Sequence, residues 1–324
     1  MVLSTLFERF REVLKSSEIF QNWLFAALCY VLINPRVLYK GLPGLMKALG
    51  RGCISVRCKS GDRVCIDPVL YGYVVRYYYE GFIREIVCDE KSNALTINGL
   101  VIKLVRSEDH FDLGSAKFKH LYPAIFDVFV KQIYGFANVS GRVVVDIGAF
   151  IGDSAIYFSL KGSRKVYAIE PHPGAYNEML ENIRLNNMMD KIVPINAALG
   201  SKLGKIKMPR IATCDTVSTY YGLGSGGDVE VPMITLGYLI GNYEVEPDVL
   251  KMDCEGCEFD VILNDYDYDN VRLFRELIFE YHETGNHKVT ELLDKLSNDY
   301  TCDVIGKGSV GTVHCVRRGL ANRV

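Results

Sequence analysis

Val143-Val144-Val145-Asp146-Ile147-Gly148-Ala149-Phe150-Ile151-Gly152 reads as a buried parallel strand running into a glycine turn and then a helix. Val143 to Ile147 is the apolar run expected of a strand covered on both faces. Asp146 interrupts the run near its end. A carboxylate there is costly without a partner, which points to a ligand. Gly148 and Gly152, with Ala149 between them, let the chain turn and let backbone approach a bound molecule closely. A helix starting near Gly152 would aim its unpaired N–H groups at the same crevice.

The next strand, Lys165 to Ile169, ends in Glu170-Pro171-His172-Pro173. An acid at a strand end, roughly 20 residues past the glycines, is placed to accept hydrogen bonds from ribose hydroxyls. The dinucleotide fingerprint G-x-G-x-x-G is not met, because Asp146 and Phe150 occupy two of its positions. A D-x-G-x-x-x-G turn has no tight pyrophosphate cradle. It suits a phosphate-free nucleoside carrying a positive ammonium or sulfonium, and S-adenosyl-L-methionine (SAM) is such a ligand. A plain strand-turn-helix with no ligand is the competing reading.

A third block stands further on: Pro247-Asp248-Val249-Leu250-Lys251-Met252-Asp253-Cys254-Glu255-Gly256-Cys257-Glu258. With D-I-G-A-F-I-G, E-P-H-P and E-N-I-R-L-N, it resembles the FkbM family of SAM-dependent methyltransferases. That family runs D-I-G-A-x-x-G, E-P-x-P, L-K-x-D-x-E-G-x-E in this order. The resemblance covers about Val139 to Val316, and the third block is its most specific part. It implies a Rossmann-like fold and methyl transfer, most often to a hydroxyl of a sugar or other small molecule. His172 stands where the family often has Asn. Cys254 and Cys257 replace small apolar residues.

The residues themselves point to where the chemistry lies. Val249 to Met252 reads as the fourth strand, with Asp253 at its carboxyl end, where ligands of open α/β sheets bind. Asp253 and Glu255 thus join the edge that carries Asp146 and Glu170. Glu255-Gly256 makes a turn and Cys257 to Leu263 begins a helix; Lys251 and Glu258 read equally well as supports of that turn. Strand five, Leu277 to Phe279, is followed by Glu280-Tyr281-His282-Glu283. His282 titrates near neutrality and suits a general base, unless it lies in a solvated loop. Strand three, Lys191 to Asn196, ends at Asn196-Ala197, near where an adenine would lie. No metal is required, although Asp253 with Glu280 leaves that route open.

Composition sets bounds. The 324 residues carry a formal net charge of −2, and no basic stripe stands out to neutralise phosphates, so nucleic acid is not expected as a substrate. The amino end lacks a basic leader and small-residue cleavage site, so the expected setting is the cytoplasm, with a membrane periphery as the second option. The 10 cysteines are then expected to be free thiols, with disulfides only in a hyperthermophile cytosol. A disulfide among Cys53, Cys58, Cys65 and Cys88 stays open, and redox or metal work at Cys254-x-x-Cys257 is the minor reading.

Three regions follow: N-terminal helices over 1–50, a β-rich region and linking helix over 51–138, and the methyltransferase domain over 139–324. Trp23 to Ile33 is continuously apolar but too short to span a bilayer, which takes about 20 residues. It packs on protein, meets a second copy of the chain, or lies on a membrane surface. Strands are expected at 54–58, 63–66, 83–88, 94–97 and 101–105, with Asn98-Gly99 as a hairpin turn. Tyr71, Tyr73, Tyr77 and Tyr79 alternate as if on a strand, a core row or a wall for a sugar ring. His120 to Phe136 reads as a helix, and the glycine-dense 220–227 as a lid or ordinary loop.

The expected architecture is therefore α/β: a mostly parallel sheet with an antiparallel last strand, behind N-terminal helices and a small β-rich region. The expected function is SAM-dependent O-methylation of a small-molecule or glycan acceptor. Asp146, Gly148, Ala149, Gly152, Glu170, Asn196 and Ala197 face the cofactor, and Asp253, Glu255 and His282 face the acceptor. A nucleotide-sugar-modifying oxidoreductase and a catalytically silent binding protein are the rivals.

Overall fold

A computed structural model describes residues 10–33, 53–105, 110–208, 229–283, 287–306 and 308–319. The glycine-dense 220–227 lies outside them. The chain divides into two units, residues 1–133 and 134–324.

In the first unit, α1 (Trp23–Ile33) precedes a hairpin of β1 (Ile54–Arg57) and β2 (Arg63–Ile66). After α2 (Pro68–Tyr79) comes an antiparallel sheet in simple order: β3 (Ile86–Asp89), β4 (Ala94–Ile97), β5 (Leu100–Val105), β6 (His110–Asp112) and β7 (Lys117–Phe118). A short helix, α3 (Pro123–Phe129), closes the unit. Asn98 (φ 47°) and Gly99 (φ 84°) make the β4–β5 turn in the left-handed region, as the hairpin signal predicts. The tyrosine row is corrected. It lies on helix α2, not on a strand, because Asp67 caps the helix by accepting the Val69 N–H and Pro68 opens its first turn. Tyr71 and Tyr77 face the core. The linking helix is also shorter than the span His120 to Phe136.

The thiol expectation is overturned as well. Cys53–Cys65, Cys58–Cys88, Cys254–Cys257 and Cys302–Cys315 are disulfides, and Cys29 is free. Spacing alone could not reveal these pairs, since Cys58–Cys88 links the β1–β2 hairpin to a separate sheet and the others meet through strand pairing or a turn.

The second unit holds a seven-stranded sheet. Its elements are β8 (Val143–Ile147), α4 (Asp153–Leu160), β9 (Lys165–Ile169), α5 (Pro173–Leu185) and β10 (Ile192–Ile195). A small sheet follows, from β11 (Ala198–Leu199), β12 (Gly204–Met208) and β13 (Val229–Ile234), then α6 (Leu236–Asn242). The main sheet resumes with β14 (Val249–Met252), α7 (Cys257–Leu263), α8 (Asp265–Val271), β15 (Glu276–His282), α9 (Val289–Leu296), β16 (Tyr300–Ile305) and β17 (Val310–Arg317).

The strand order is β10-β9-β8-β14-β15-β17-β16, and β17 runs antiparallel to both neighbours. The expected mostly parallel sheet with a late antiparallel strand is therefore present. Val143 to Ile147 is buried at every position, Asp146 included, as a strand covered on both faces requires. Order reverses between β8 and β14, so the crevice outside their carboxyl ends is the place for a ligand. Among the described residues no helix is long and apolar enough to cross a membrane.

Candidate active site

Two turns form the edge of the crevice. The first joins β8 to α4. Gly148 (φ 74°) and Gly152 (φ 85°) are left-handed, and so is Phe150 (φ 47°), where a side chain costs energy. A Cβ on Gly148 would sit 1.8 Å from the Asp253 carbonyl oxygen. This glycine is thus demanded by the β14 turn beside it, a reason separate from ligand approach. The Gly148 and Ala149 N–H groups both donate to the Ile169 carbonyl, at 2.9 and 3.0 Å.

Glu170 binds this turn together. Its Oε2 accepts the Phe150 N–H at 2.8 Å and its Oε1 accepts the His172 N–H at 2.7 Å. The carboxyl is 4% exposed, and burial pushes its pKa up to about 8 against the pull of those two N–H groups. Each oxygen keeps a lone pair for a further donor. Asn196 donates to the Glu170 and Pro171 carbonyls at 2.8 and 3.0 Å, so its amide nitrogen supports this corner; Ala197 is buried behind it. His172 caps α5, its Nδ1 accepting the Ala175 N–H. An imidazole nitrogen there does what an Asn oxygen would do, which accounts for the departure from the family pattern.

Asp146 is placed differently from the sequence expectation. It is fully buried, with Oδ1 2.9 Å from Lys251 Nζ and Oδ2 accepting from Ser154 Oγ at 2.6 Å. The expected partner, the ammonium of a ligand, is supplied by the protein itself. Lys251 also donates to the Gly148 carbonyl at 3.0 Å, and its Nζ lies 5.8 Å from the centre of the Tyr134 ring. Burial alone would lower the lysine's pKa; Asp146 beside it holds it well above its ordinary value. Asp153, which the motif reading passed over, is buried in the first turn of α4, and burial raises its carboxyl to about 7. Its only sequence signal is an acid directly after the second glycine.

The second turn joins β14 to α7. Glu255 (φ 56°) and Gly256 (φ 117°) are both left-handed, and the Cys254–Cys257 disulfide brackets them. Strain held at a non-glycine residue here needs such a restraint. Glu258 is fully buried; Oε2 accepts the Gly256 N–H at 3.0 Å and Oε1 accepts the His282 N–H at 3.3 Å. It therefore ties β15 to the turn.

His282 lies on β15, not in a loop. Its Nε2 is 3.4 Å from Glu255 and 3.8 Å from Glu280, and its Nδ1 is 3.6 Å from Glu258. Burial favours the neutral ring, but Glu258 and the neighbouring carboxylates of Glu255 and Glu280 outweigh it and push the pKa up to about 9. An imidazolium cannot accept a proton, so these carboxylates favour His282 as a cation over its expected role as a base. Glu280 is pushed up to about 8 by burial and by Asp253, to which it is hydrogen-bonded. Donor atoms of Asp253, Glu280 and His282 lie within 4.8 Å of one another, the spacing of a cation site as well as of a shared proton.

These residues suit SAM. The buried strand-end acid can accept ribose hydroxyls. Lys251, the lysine at this turn, is engaged by Asp146 and is no phosphate anchor.

Comparison with known proteins agrees. Residues 146–301 match the methyltransferase FkbM domain. "Methyltransferase sdnD" of Sordaria araneosa is 24% identical over 212 residues, 55% of this chain and 82% of that protein. The ribosomal protein L11 methyltransferase of Carboxydothermus hydrogenoformans is 44% identical over 55 residues, 17% of this chain and 18% of that protein. Among solved structures, M. capricolum TrmK in complex with S-adenosyl-homocysteine aligns at 14% identity and a TM-score of 0.36, over 61% of this chain and 69% of that one. Residues 146–301 are thus an FkbM methyltransferase domain, of a SAM-dependent family.

Proposed function

We propose that this FkbM methyltransferase domain methylates a hydroxyl group of a sugar, glycan or other small molecule. The observation that carries the reading is the Asp253–Glu280 pair beside His282, at the same sheet edge as Glu170. SAM, when bound, supplies an electrophilic methyl group. The protein's part is to orient the acceptor oxygen, exclude water and take the hydroxyl proton as the new bond forms.

Asp253 is the base in this reading. It stands at the carboxyl end of β14, and Glu280, pushed up to about 8, is its neighbour. His282 is a positioning cation that holds Glu255, Glu258 and Glu280 around the acceptor. Glu170 holds the ribose, and the Asp146–Lys251 pair fixes the turn that carries it.

The setting follows from the cysteines. The four disulfides among the described residues support a cytoplasmic protein only where that cytosol preserves disulfides, as in hyperthermophiles; otherwise they support an oxidising compartment.

The test is transfer of labelled methyl from SAM to pools of monosaccharides, glycans, lipids, peptides and RNA, beside calorimetry with SAM and NAD. Labelled sugar or glycan is the expected result, with SAM bound and NAD not. Label confined to peptide or RNA would overturn the acceptor class. NAD binding in place of SAM would favour the oxidoreductase. Glu170→Ala should weaken SAM by about 2 kcal/mol, the scale of two lost hydrogen bonds to the ribose.

A further inference from the structure

The first unit carries a feature that methyl transfer leaves unused. Helix α1 turns Ala26, Ala27 and Tyr30 inward; the tyrosine ring packs on Tyr71 and closes over Gly72. Its outer face is apolar too. Leu24 is 66% exposed, and Phe25 and Leu28 are each 57% exposed. Three large apolar side chains at i, i+1 and i+4 form one continuous helical stripe. A stripe of this kind on a surface helix marks an interaction site.

Charge identifies what it meets. Between Ile19 and Gly61 the sequence has six Lys or Arg residues and no Asp or Glu, in a chain whose net charge is −2. Two of these cations are placed beside the helix. Gln21, just ahead of α1, donates its backbone N–H to the Arg57 carbonyl and its side-chain amide to the Lys59 carbonyl. Arg57 and Lys59 are both exposed. Arg57 and Lys59 thus flank the stripe at its amino-terminal end, beside the exposed acids Glu18 and Asp62 that border this stretch.

We propose that this face of α1 docks on an anionic lipid surface, with Leu24, Phe25 and Leu28 entering the acyl boundary and Arg57 and Lys59 meeting headgroup phosphates. Eleven residues at about 1.5 Å each cannot cross a hydrocarbon core of about 30 Å, so the helix lies in the interface. A second copy of the chain fits less well. A two-fold contact would bury the apolar stripe but gives the flanking cations no partner of their own.

The experiment is sedimentation of the full chain with phosphatidylglycerol vesicles and with phosphatidylcholine vesicles, at low and high salt. Binding to phosphatidylglycerol that falls tenfold or more at high salt is expected. Arg57→Gln with Lys59→Gln should weaken it about fivefold per charge removed. Leu24→Ser, Phe25→Ser and Leu28→Ser together should abolish it. If that triple variant does not fold, the charge variant and the salt series decide, since they leave α1 untouched. Equal binding to both vesicles, or to neither, overturns the proposal. So does a dimer in sedimentation equilibrium that the serine variant converts to monomer.

Discussion

Lys251 Nζ stands 2.9 Å from Asp146 Oδ1, and the two residues are register partners across β8 and β14. These are the strands between which the order of the sheet reverses. The lysine also reaches the Gly148 carbonyl, while Gly148 itself abuts the Asp253 carbonyl. One buried ion pair therefore fixes the glycine turn and the base-bearing turn relative to each other.

Lys251→Met should destabilise the protein by about 3 to 5 kcal/mol, because it strands the Asp146 carboxylate in the core. Combining it with Asp146→Asn should recover much of that loss, since no buried charge then lacks a partner. Urea unfolding of the three variants measures both effects. Additive losses in the double variant would show that the pair does not act as a unit.

Most of the sheet was legible because its strands are short apolar runs stopped by turn residues. Val143–Ile147, Lys165–Ile169 and Val249–Met252 begin and end where the pattern changes. The site's electrostatics were not legible. Nothing local to His282 says that Glu255, Glu258 and Glu280 surround it, because two of those acids arrive from another turn. Asp146 looked like a ligand group because its partner, Lys251, lies over a hundred residues away in sequence. The α2 tyrosines misled through their period-two spacing, although Asp67-Pro68 was the better signal.

The stability of the ligand-free protein should fall as pH rises from about 5 to 9. Glu170 is held near pKa 8, above the usual carboxylate value. The folded state thus keeps a proton that the unfolded chain has released. Its contribution is full below the unfolded pKa, about 4.3, and is lost as pH climbs through 8. His282, raised to about 9, acts in the same sense from about pH 6.5 upward. Melting temperature against pH should slope downward, and Glu170→Gln should flatten the part between pH 5 and 8. An unchanged slope in that variant would take the proton away from Glu170.

The Cys254–Cys257 disulfide brackets the left-handed Glu255–Gly256 pair. Replacing both cysteines with alanine removes the brace while leaving Glu258 and Asp253 in sequence. Glu255 then gains the freedom to relax, and turnover should fall severalfold with SAM affinity nearly unchanged. Treatment of the wild type with a dithiol reductant should reproduce the drop, and the alanine variant should be insensitive to it. A reductant effect of equal size in the alanine variant would assign the change to another disulfide.

The chemical step separates the two candidate bases. Asp253→Asn keeps the size of the side chain and removes the carboxylate, so kcat should fall by about 10² or more, the usual scale for a lost general base, with little change in SAM affinity. His282→Gln should lower turnover less, through loosened positioning of Glu255 and Glu280. The pH profile tells the roles apart. With Asp253 as base and Glu280 its protonated partner, wild-type kcat should be level from about pH 6 to 8 and decline as Glu280 near 8 and His282 near 9 lose their protons. Were His282 the base, kcat would instead climb toward pH 9, because only the neutral ring accepts a proton. A rising limb that disappears in His282→Gln would reverse the assignment.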